Sequence, residues 1–305
     1  MEATSLGAPV GEHIFLDRIV FNHLIFESIF DNLTPLEFLR FARTCRLAQS
    51  VVQGFIKRTF QINRILSRFF DDPVAFRSLQ ARTGTLISGS VALQFLDRTF
   101  YPESDLDIYI PPQFDREVLL WLTKNGYQFV PTKDQPATLD EAIKLGRDLG
   151  FVSGMVDDPE GYSLRPIQAV YTFRKFSLSA DGSKTRVQCI VAVSAPLEVV
   201  SFHSTCVMNV ISYEKAYCIY PRATLHEHCS LNNELYSSPT RPEALQKYTT
   251  RGFKFCRSLR HIADIDLGFR VAGRYIGDSL CWTLSLNTDG VGSGCVIPGT
   301  HEPLA

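Results

Sequence analysis

The stretch Leu86-Ile87-Ser88-Gly89-Ser90, followed by Asp105-Leu106-Asp107-Ile108-Tyr109-Ile110, carries the densest chemical information in the chain. Thr85 to Ser88 reads as a buried strand, Gly89-Ser90 as the turn that leaves it, and Val91 to Arg98 as a helix with Ser90 near its N-cap. Such a turn can seat a phosphate. Glycine lets backbone N–H groups approach an oxyanion, the serine hydroxyl adds a donor, and the helix N-terminus adds partial positive charge. In the second run side chains alternate, so Asp105 and Asp107 share one face, about 7 Å apart, while Leu106, Ile108 and Ile110 share the other. Two carboxylates side by side repel unless positive charge lies between them. Mg²⁺ (or Mn²⁺), itself bound to substrate phosphates, meets that need.

The rest of the composition bounds what such a site could serve. The 305 residues suffice for one large domain or two modest ones, and 45% hydrophobic with 21% charged residues makes disorder a minor theme. A net charge of −1 provides no global attraction to nucleic acid, so any such binding needs a local patch. Eight cysteines are spread without a Cys-x-x-Cys pair, and Met1 to His13 lacks a basic region followed by an apolar run, so reduced thiols in the cytoplasm or nucleus are expected. No apolar segment has the length needed to cross a bilayer, and no membrane association is expected.

Along the chain, residues 1–12 are small and polar and are expected to be disordered. Leu24, Ile25, Ile29 and Phe30 fall at helical spacing. Thr34-Pro35-Leu36-Glu37 forms a capping box that opens a second helix through Arg46, and a third helical run covers Ser50 to Phe70. Between Arg40 and Arg68 there are seven basic and no acidic residues, a candidate nucleic-acid patch or a solvated face. Asp71-Asp72-Pro73 breaks the helix and marks the expected boundary. Helices are then expected over Asp115 to Lys124 and from Thr138 to about Gly150, with a short strand at Tyr127 to Pro131. Ile167 to Leu178 and Thr185 to Val193 read as a hairpin turning at Asp181-Gly182. A helix from Pro196 to His203 and strands at Thr205 to Tyr213 and Ala216 to Tyr220 complete a mixed sheet with helices. Arg241 to His261 is expected as a helix with Lys247, Arg251, Lys254 and Arg257 on one drifting face, and His226-x-His228-Cys229 as a polar helix start. Beyond Gly268 periodicity is weak.

Gly89-Ser90, a spacer of 14 residues and then Asp105-Leu106-Asp107 at the start of an apolar strand resembles the nucleotidyltransferase superfamily of the polymerase-beta type, over roughly residues 76 to 225. Tyr101-Pro102-Glu103-Ser104-Asp105-Leu106-Asp107 also looks like the signature of a group of fungal proteins that carry this domain. The resemblance implies that Gly89 and Ser90 hold the triphosphate and that Asp105 and Asp107 are catalytic, metal-binding carboxylates. Ile29 to Arg40 with Thr44-Cys45-Arg46 resembles an F-box, the helical motif that docks onto the adaptor subunit of cullin-type ubiquitin ligases, although Phe21-Asn22-His23-Leu24 stands where that family opens with Leu-Pro. The expected class is α+β, a small N-terminal helical module followed by a nucleotidyltransferase-like mixed β-sheet with flanking helices. Its parts are a disordered N-terminus (1–12), an F-box-like helical module (13–72), the nucleotidyltransferase-like domain (73–225), a C-terminal helical extension (226–268) and a Gly-rich, partly disordered tail (269–305).

The superfamily adds a third acid from a strand beside the first carboxylate strand. The best candidate strand, Arg186 to Ala192, offers Gln188, and the alternative position before the next strand holds His203, which leaves Glu103 as an outside candidate. Neutral glutamine and histidine are poor Mg²⁺ ligands. Two functions therefore stand open. One is a protein that binds a nucleoside triphosphate with Mg²⁺ and transfers NMP to a hydroxyl acceptor. The other is a non-catalytic adaptor that recruits a ubiquitin-ligase subunit through residues 13–70 and uses a degenerate transferase fold for recognition. A glycosyltransferase using Asp105-x-Asp107 ranks behind both, because the large nucleotide-sugar domain is missing.

Overall fold

Helix starts are set by short polar side chains that satisfy the first backbone N–H groups, and several of those foreseen in the sequence are present in the computed structural model, which describes residues 22–153, 167–176, 184–196, 204–232, 241–256, 269 and 274–292. The chain divides into two compact units, Met1–Phe60 and Gln61–Ala305.

In the first unit, α1 (His23–Asp31) is capped by Asn22, whose Oδ1 accepts from Ile25 N at 3.4 Å. α2 (Pro35–Ala42) opens on the expected capping box, with Thr34 N donating to Glu37 Oε2 at 2.7 Å. α3 (Arg46–Thr59) completes the set. Phe55 is the hub of this core. Its ring lies 6.2 Å from Phe26, 5.3 Å from Phe30 and 6.0 Å from Phe38, and all four are buried. The continuous helix expected over Ser50 to Phe70 is interrupted. Phe60 leaves the helical region at ψ 67°, where its buried ring turns the chain, and α4 (Ile62–Leu66) starts anew in the second unit.

The second unit opens on α5 (Pro73–Thr83), capped by Asp72, whose Oδ1 accepts from Val74 N and Ala75 N at 3.0 Å each. Then follow β1 (Leu86–Ser88), α6 (Gly89–Asp97), β2 (Leu106–Ile110), α7 (Asp115–Lys124), β3 (Gln128–Val130) and α8 (Leu139–Ser153). The hairpin partners β4 (Ile167–Phe176) and β5 (Lys184–Ala192) pair antiparallel as expected, while their turn lies outside the described residues. β6 (Asn209–Ile211) and β7 (Lys215–Cys218) come next. β8 (Cys229–Leu231), α9 (Arg241–Thr250), β9 (Lys254–Cys256) and β10 (Trp282–Ser285) end the described chain. The main sheet has eight strands in the order β10-β7-β6-β1-β2-β5-β4-β3. Within it β2 and β5 run parallel, and the other pairings are antiparallel. β8 and β9 form a separate parallel pair. The protein is thus α+β, with N-terminal helices followed by a mixed eight-strand sheet and flanking helices. Among the described residues no helix is long and apolar enough to cross a membrane.

Other elements also differ from the sequence expectation, beginning with α2, which ends at Ala42 rather than running through Arg46. The helix begun at Arg241 stops at Thr250, because Gly252 adopts φ +93° and redirects the chain into β9. Thr205 to Val207 is a 3₁₀ turn rather than strand, and only Asn209–Ile211 joins the sheet. His226 ends a helical turn instead of starting one, and His228 at φ +47° leads into β8. The stretch expected to be an aperiodic tail contributes β10, which covers the edge of β7 through four registered pairs. The helix expected at Pro196 to His203 falls largely outside the described residues.

Arg77 of α5 ties this unit together from the inside. It is 1% exposed, donates from Nε and Nη2 to Tyr213 O at 3.2 and 2.5 Å, and from Nη1 to Asn63 Oδ1 at 3.1 Å. Removing the guanidinium leaves both acceptors without it. Arg77→Met is therefore expected to lower the unfolding free energy by about 2–4 kcal/mol. Urea denaturation checks this, and a change below roughly 0.5 kcal/mol would refute the tethering role.

Candidate functional site

Asp107 is placed by strand register. β1 and β2 pair so that Ser88 stands opposite Asp107, and β2 and β5 pair so that Gln188 flanks Asp107 on its other side. Immediately after Ser88 the chain turns through Gly89 at φ +69° into α6, whose first residues are Gly89 and Ser90. A Cβ on Gly89 would overlap Asp107 Oδ2 and lie 3.2 Å from its Cγ. Glycine is needed here twice, for the left-handed backbone and for the carboxylate packed against its Cα. The helix starts two residues earlier than expected, with Ser88 as its N-cap. Ser88 Oγ is committed elsewhere, donating to Asn209 O at 2.5 Å. Ser90 is 4% exposed, and its carbonyl accepts from Gln94 Nε2 at 3.0 Å.

Asp105 precedes β2 on the same face. Arg186 Nη2 lies 2.9 Å from Asp105 Oδ2. With the Gln188 amide oriented by its neighbours, Oε1 accepts from Arg186 Nη2 at 2.7 Å and Nε2 donates to Asp107 Oδ1 at 3.2 Å. A continuous chain results, Asp105–Arg186–Gln188–Asp107. Arg186 Nε is buried and has no hydrogen-bond partner among the described residues. On the far side of β5, Arg174 of β4 stands directly opposite Arg186, and Lys247 of α9 also acts on both carboxylates.

Burial pushes the Asp107 carboxyl up to about 7, reinforced by the negative charge of Asp105 and opposed by Lys247 and Arg186. Burial also raises Asp105, with Arg186, Lys247 and Arg174 pulling it down. The rim before Asp105 is stiffened by arginines. Arg68 donates to Tyr101 O at 3.1 Å and to Gln94 Oε1 at 3.3 Å, and the Arg251 guanidinium stacks 3.8 Å from the Tyr101 ring centroid.

Of the four residues expected to form the site, Gly89 meets Asp107, Asp105 acts on Asp107 from two positions earlier, and Ser90 follows Gly89 in the first turn of α6. Gln188 stands beside Asp107 where the third acid was sought. Glu103 is exposed on the turn before β2, and His203 lies outside the described residues. Sequence reasoning missed Arg186. Its one signal was alternation, since a residue two positions from Gln188 in a strand shares its face. Among the described residues, no three His, Cys, Asp or Glu side chains gather as a cation site. The donor set still fits Mg²⁺ in one form, because that ion keeps several waters and is commonly held by one or two carboxylates plus substrate phosphates.

Two outcomes test this geometry. Gly89→Ala should cost roughly 2–5 kcal/mol from backbone strain and overlap together. Adding Asp107→Gly should recover about 1–2 kcal/mol of it, whereas additive effects in urea melts would show that the carboxylate does not pack on Gly89. The second concerns pH. In the unfolded chain Asp107 ionises near 3.8, in the folded chain near 7, so the folded state holds a proton that the unfolded state has lost. Stability contributed at this residue should fall as pH rises between those two values and level off above them. The melting-temperature gain of Asp107→Asn over wild type should widen across the same window, and a constant gain would contradict the raised carboxyl.

No protein-family model matches the chain, and no curated protein is similar enough to it to count as a match.

Proposed function

We propose that the second unit is a nucleotidyltransferase-like domain that binds the triphosphate of a nucleoside triphosphate together with one divalent cation, Mg²⁺ or Mn²⁺. The observation that carries this reading is the seating of the Asp107 carboxylate against Gly89 at the N-terminus of α6, a helix of nine residues. Phosphate oxygens and metal-binding carboxylate would meet there within one turn of chain.

Each residue has a definite task. The backbone N–H groups at Gly89 and Ser90 point partial positive charge at the phosphates, and Ser90 adds its hydroxyl. Arg186 and Lys247 neutralise phosphate charge from the side of β5 and α9. Asp105 and Asp107 would hold the cation, which supplies Lewis-acid neutralisation of the triphosphate. Transfer of NMP to a hydroxyl acceptor further requires a group that accepts the hydroxyl proton or carries a second ion there. Gln188 does neither at neutral pH. Binding is therefore the retained property, and transfer is slow relative to it.

A second reading, a non-catalytic adaptor that contacts a ubiquitin-ligase subunit, draws support from α1, where Leu24, Ile25 and Ile29 are 69%, 43% and 42% exposed. Apolar side chains clustered on one helix are an ordinary feature of a protein-binding face.

Thermal unfolding with each nucleoside triphosphate, with and without Mg²⁺ or Mn²⁺, separates the two. Ligand at about a hundred times its Kd adds roughly 2.7 kcal/mol, which raises the midpoint by several degrees. The expected shift needs both metal and Asp107, and Asp107→Asn abolishes it. A wild-type protein that shifts with none of the nucleotides would leave the adaptor reading in place.

A further inference from the structure

We infer that Arg186 is the resident cation of the acid pair, so that the site rejects a free divalent ion and admits one only as a complex with a polyphosphate, whose oxygens take the guanidinium over from Asp105. This inference rests on the proposed site and specifies the form in which its ligand arrives.

The argument starts from charge and geometry. Arg186 Nη2 already reaches Asp105 at 2.9 Å and the Gln188 amide oxygen at 2.7 Å, and Gln188 links it on to Asp107. A metal ion and a guanidinium on the same Asp105 Oδ2 repel each other where water is partly excluded. Arg186 therefore competes with an entering cation for that oxygen. Lys247 and Arg174 add further positive charge around the same carboxylates, so cationic side chains outnumber the acids there. A bare divalent ion meets net repulsion.

A polyphosphate reverses the balance, since it brings more negative charge than the metal brings positive. It also answers a feature that Asp105 leaves open. Arg186 and Arg174 are cross-strand neighbours in direct register, a pair of like charges that the Asp105 carboxylate offsets in part and a polyphosphate would offset further. Arg186 Nε is a buried donor without a partner among the described residues, and a planar guanidinium is built to present Nε and one Nη together to two oxygens of one phosphate. Asp105 satisfies Arg186 through Nη2 alone. Metal and polyphosphate should consequently strengthen each other's binding.

The test titrates Mn²⁺ alone into the full chain and repeats the titration with saturating inorganic tripolyphosphate, reading protein-retained Mn²⁺ by equilibrium dialysis at fixed free Mn²⁺, so that ion chelated by tripolyphosphate in solution is not counted as bound. Wild type should take up Mn²⁺ about tenfold or more tightly with tripolyphosphate present. Arg186→Met, which removes the charge while keeping most of the bulk, should bind Mn²⁺ alone about tenfold or more tightly than wild type, and Arg186→Lys should stay close to wild type. Equal Mn²⁺ affinity with and without tripolyphosphate in wild type overturns the inference even if the variants fail to fold. So does an Arg186→Met protein that melts cooperatively and binds Mn²⁺ no better than wild type. Neither result touches the nucleotide reading, which stands or falls on the metal-dependent shift with nucleoside triphosphates.

Discussion

Asp107 sits between two strands, and its neighbours on both are fixed by register. The antiparallel pairing of β1 with β2 places Ser88 opposite it, so that the next residue, Gly89, turns the chain against its carboxylate. The parallel pairing of β2 with β5 brings Gln188 to its other flank and Arg186 alongside Asp105. A slip of one residue between β2 and β5 would send Arg186 and Gln188 to the opposite side of the sheet, and one between β1 and β2 would move Ser88 and Gly89 off Asp107. The apolar alternation prevents that slip. Leu106, Ile108, Val187 and Cys189 are all fully buried on the face away from the acids. The hydrophobic effect thus sets the positions of the charged groups, and the charged groups then decide what the site can hold.

This division of labour explains what the sequence disclosed. The Gly-Ser turn, the spaced aspartates, the capping boxes at Thr34 and Thr138 and the β4–β5 hairpin are local signals, each carried within a few residues. Thr138 Oγ1, for example, does bond Glu141 Oε2 at 2.6 Å. Arg186 was hidden for the opposite reason. A guanidinium in a strand finds its partner only when that strand has found its own neighbour, and Asp105 lies 81 positions earlier in the chain. β9 and β10 were missed through shortness. Runs of three and four residues are too brief to set an alternation apart from a helical stripe, and tertiary pairing decided them. At β9 the stop signal was present in Gly252, but the even spacing of Lys247, Arg251, Lys254 and Arg257 pointed the other way.

Under the proposed reading, the glutamine beside Asp107 separates binding from turnover in physical terms. A third carboxylate would add negative charge next to a carboxyl that burial and Asp105 already push to about 7, and only a bound cation could make that arrangement tolerable. Gln188 has the length of an acid, fills its place and bonds both Asp107 and Arg186 without that charge. An amide beside Asp107 and an arginine beside Asp105 are mutually consistent features. Each lowers the cost of keeping the site folded when no ligand is bound, and each weakens the case for a second ion.

The positive charge around the acids also comes from far apart in the chain. Arg186 and Arg174 belong to the hairpin, whereas Lys247 arrives on α9, which falls in the chain between the two strands of the small parallel sheet, and Arg251 follows in the turn just after that helix. That helix is anchored by Tyr248 at 5% exposure and by the stack of Arg251 on Tyr101, a residue of the turn that feeds Asp105 into β2. The C-terminal segment is thereby coupled to the acid pair at two points, through the field of Lys247 and through the position of the Tyr101 turn. A domain drawn from the Gly-Ser turn and the aspartates alone would end near β7 and would lack half of this cationic frame. The cationic frame around the acids belongs to the whole second unit, and the β8–α9–β9 segment contributes to it as much as the sheet that carries the carboxylates.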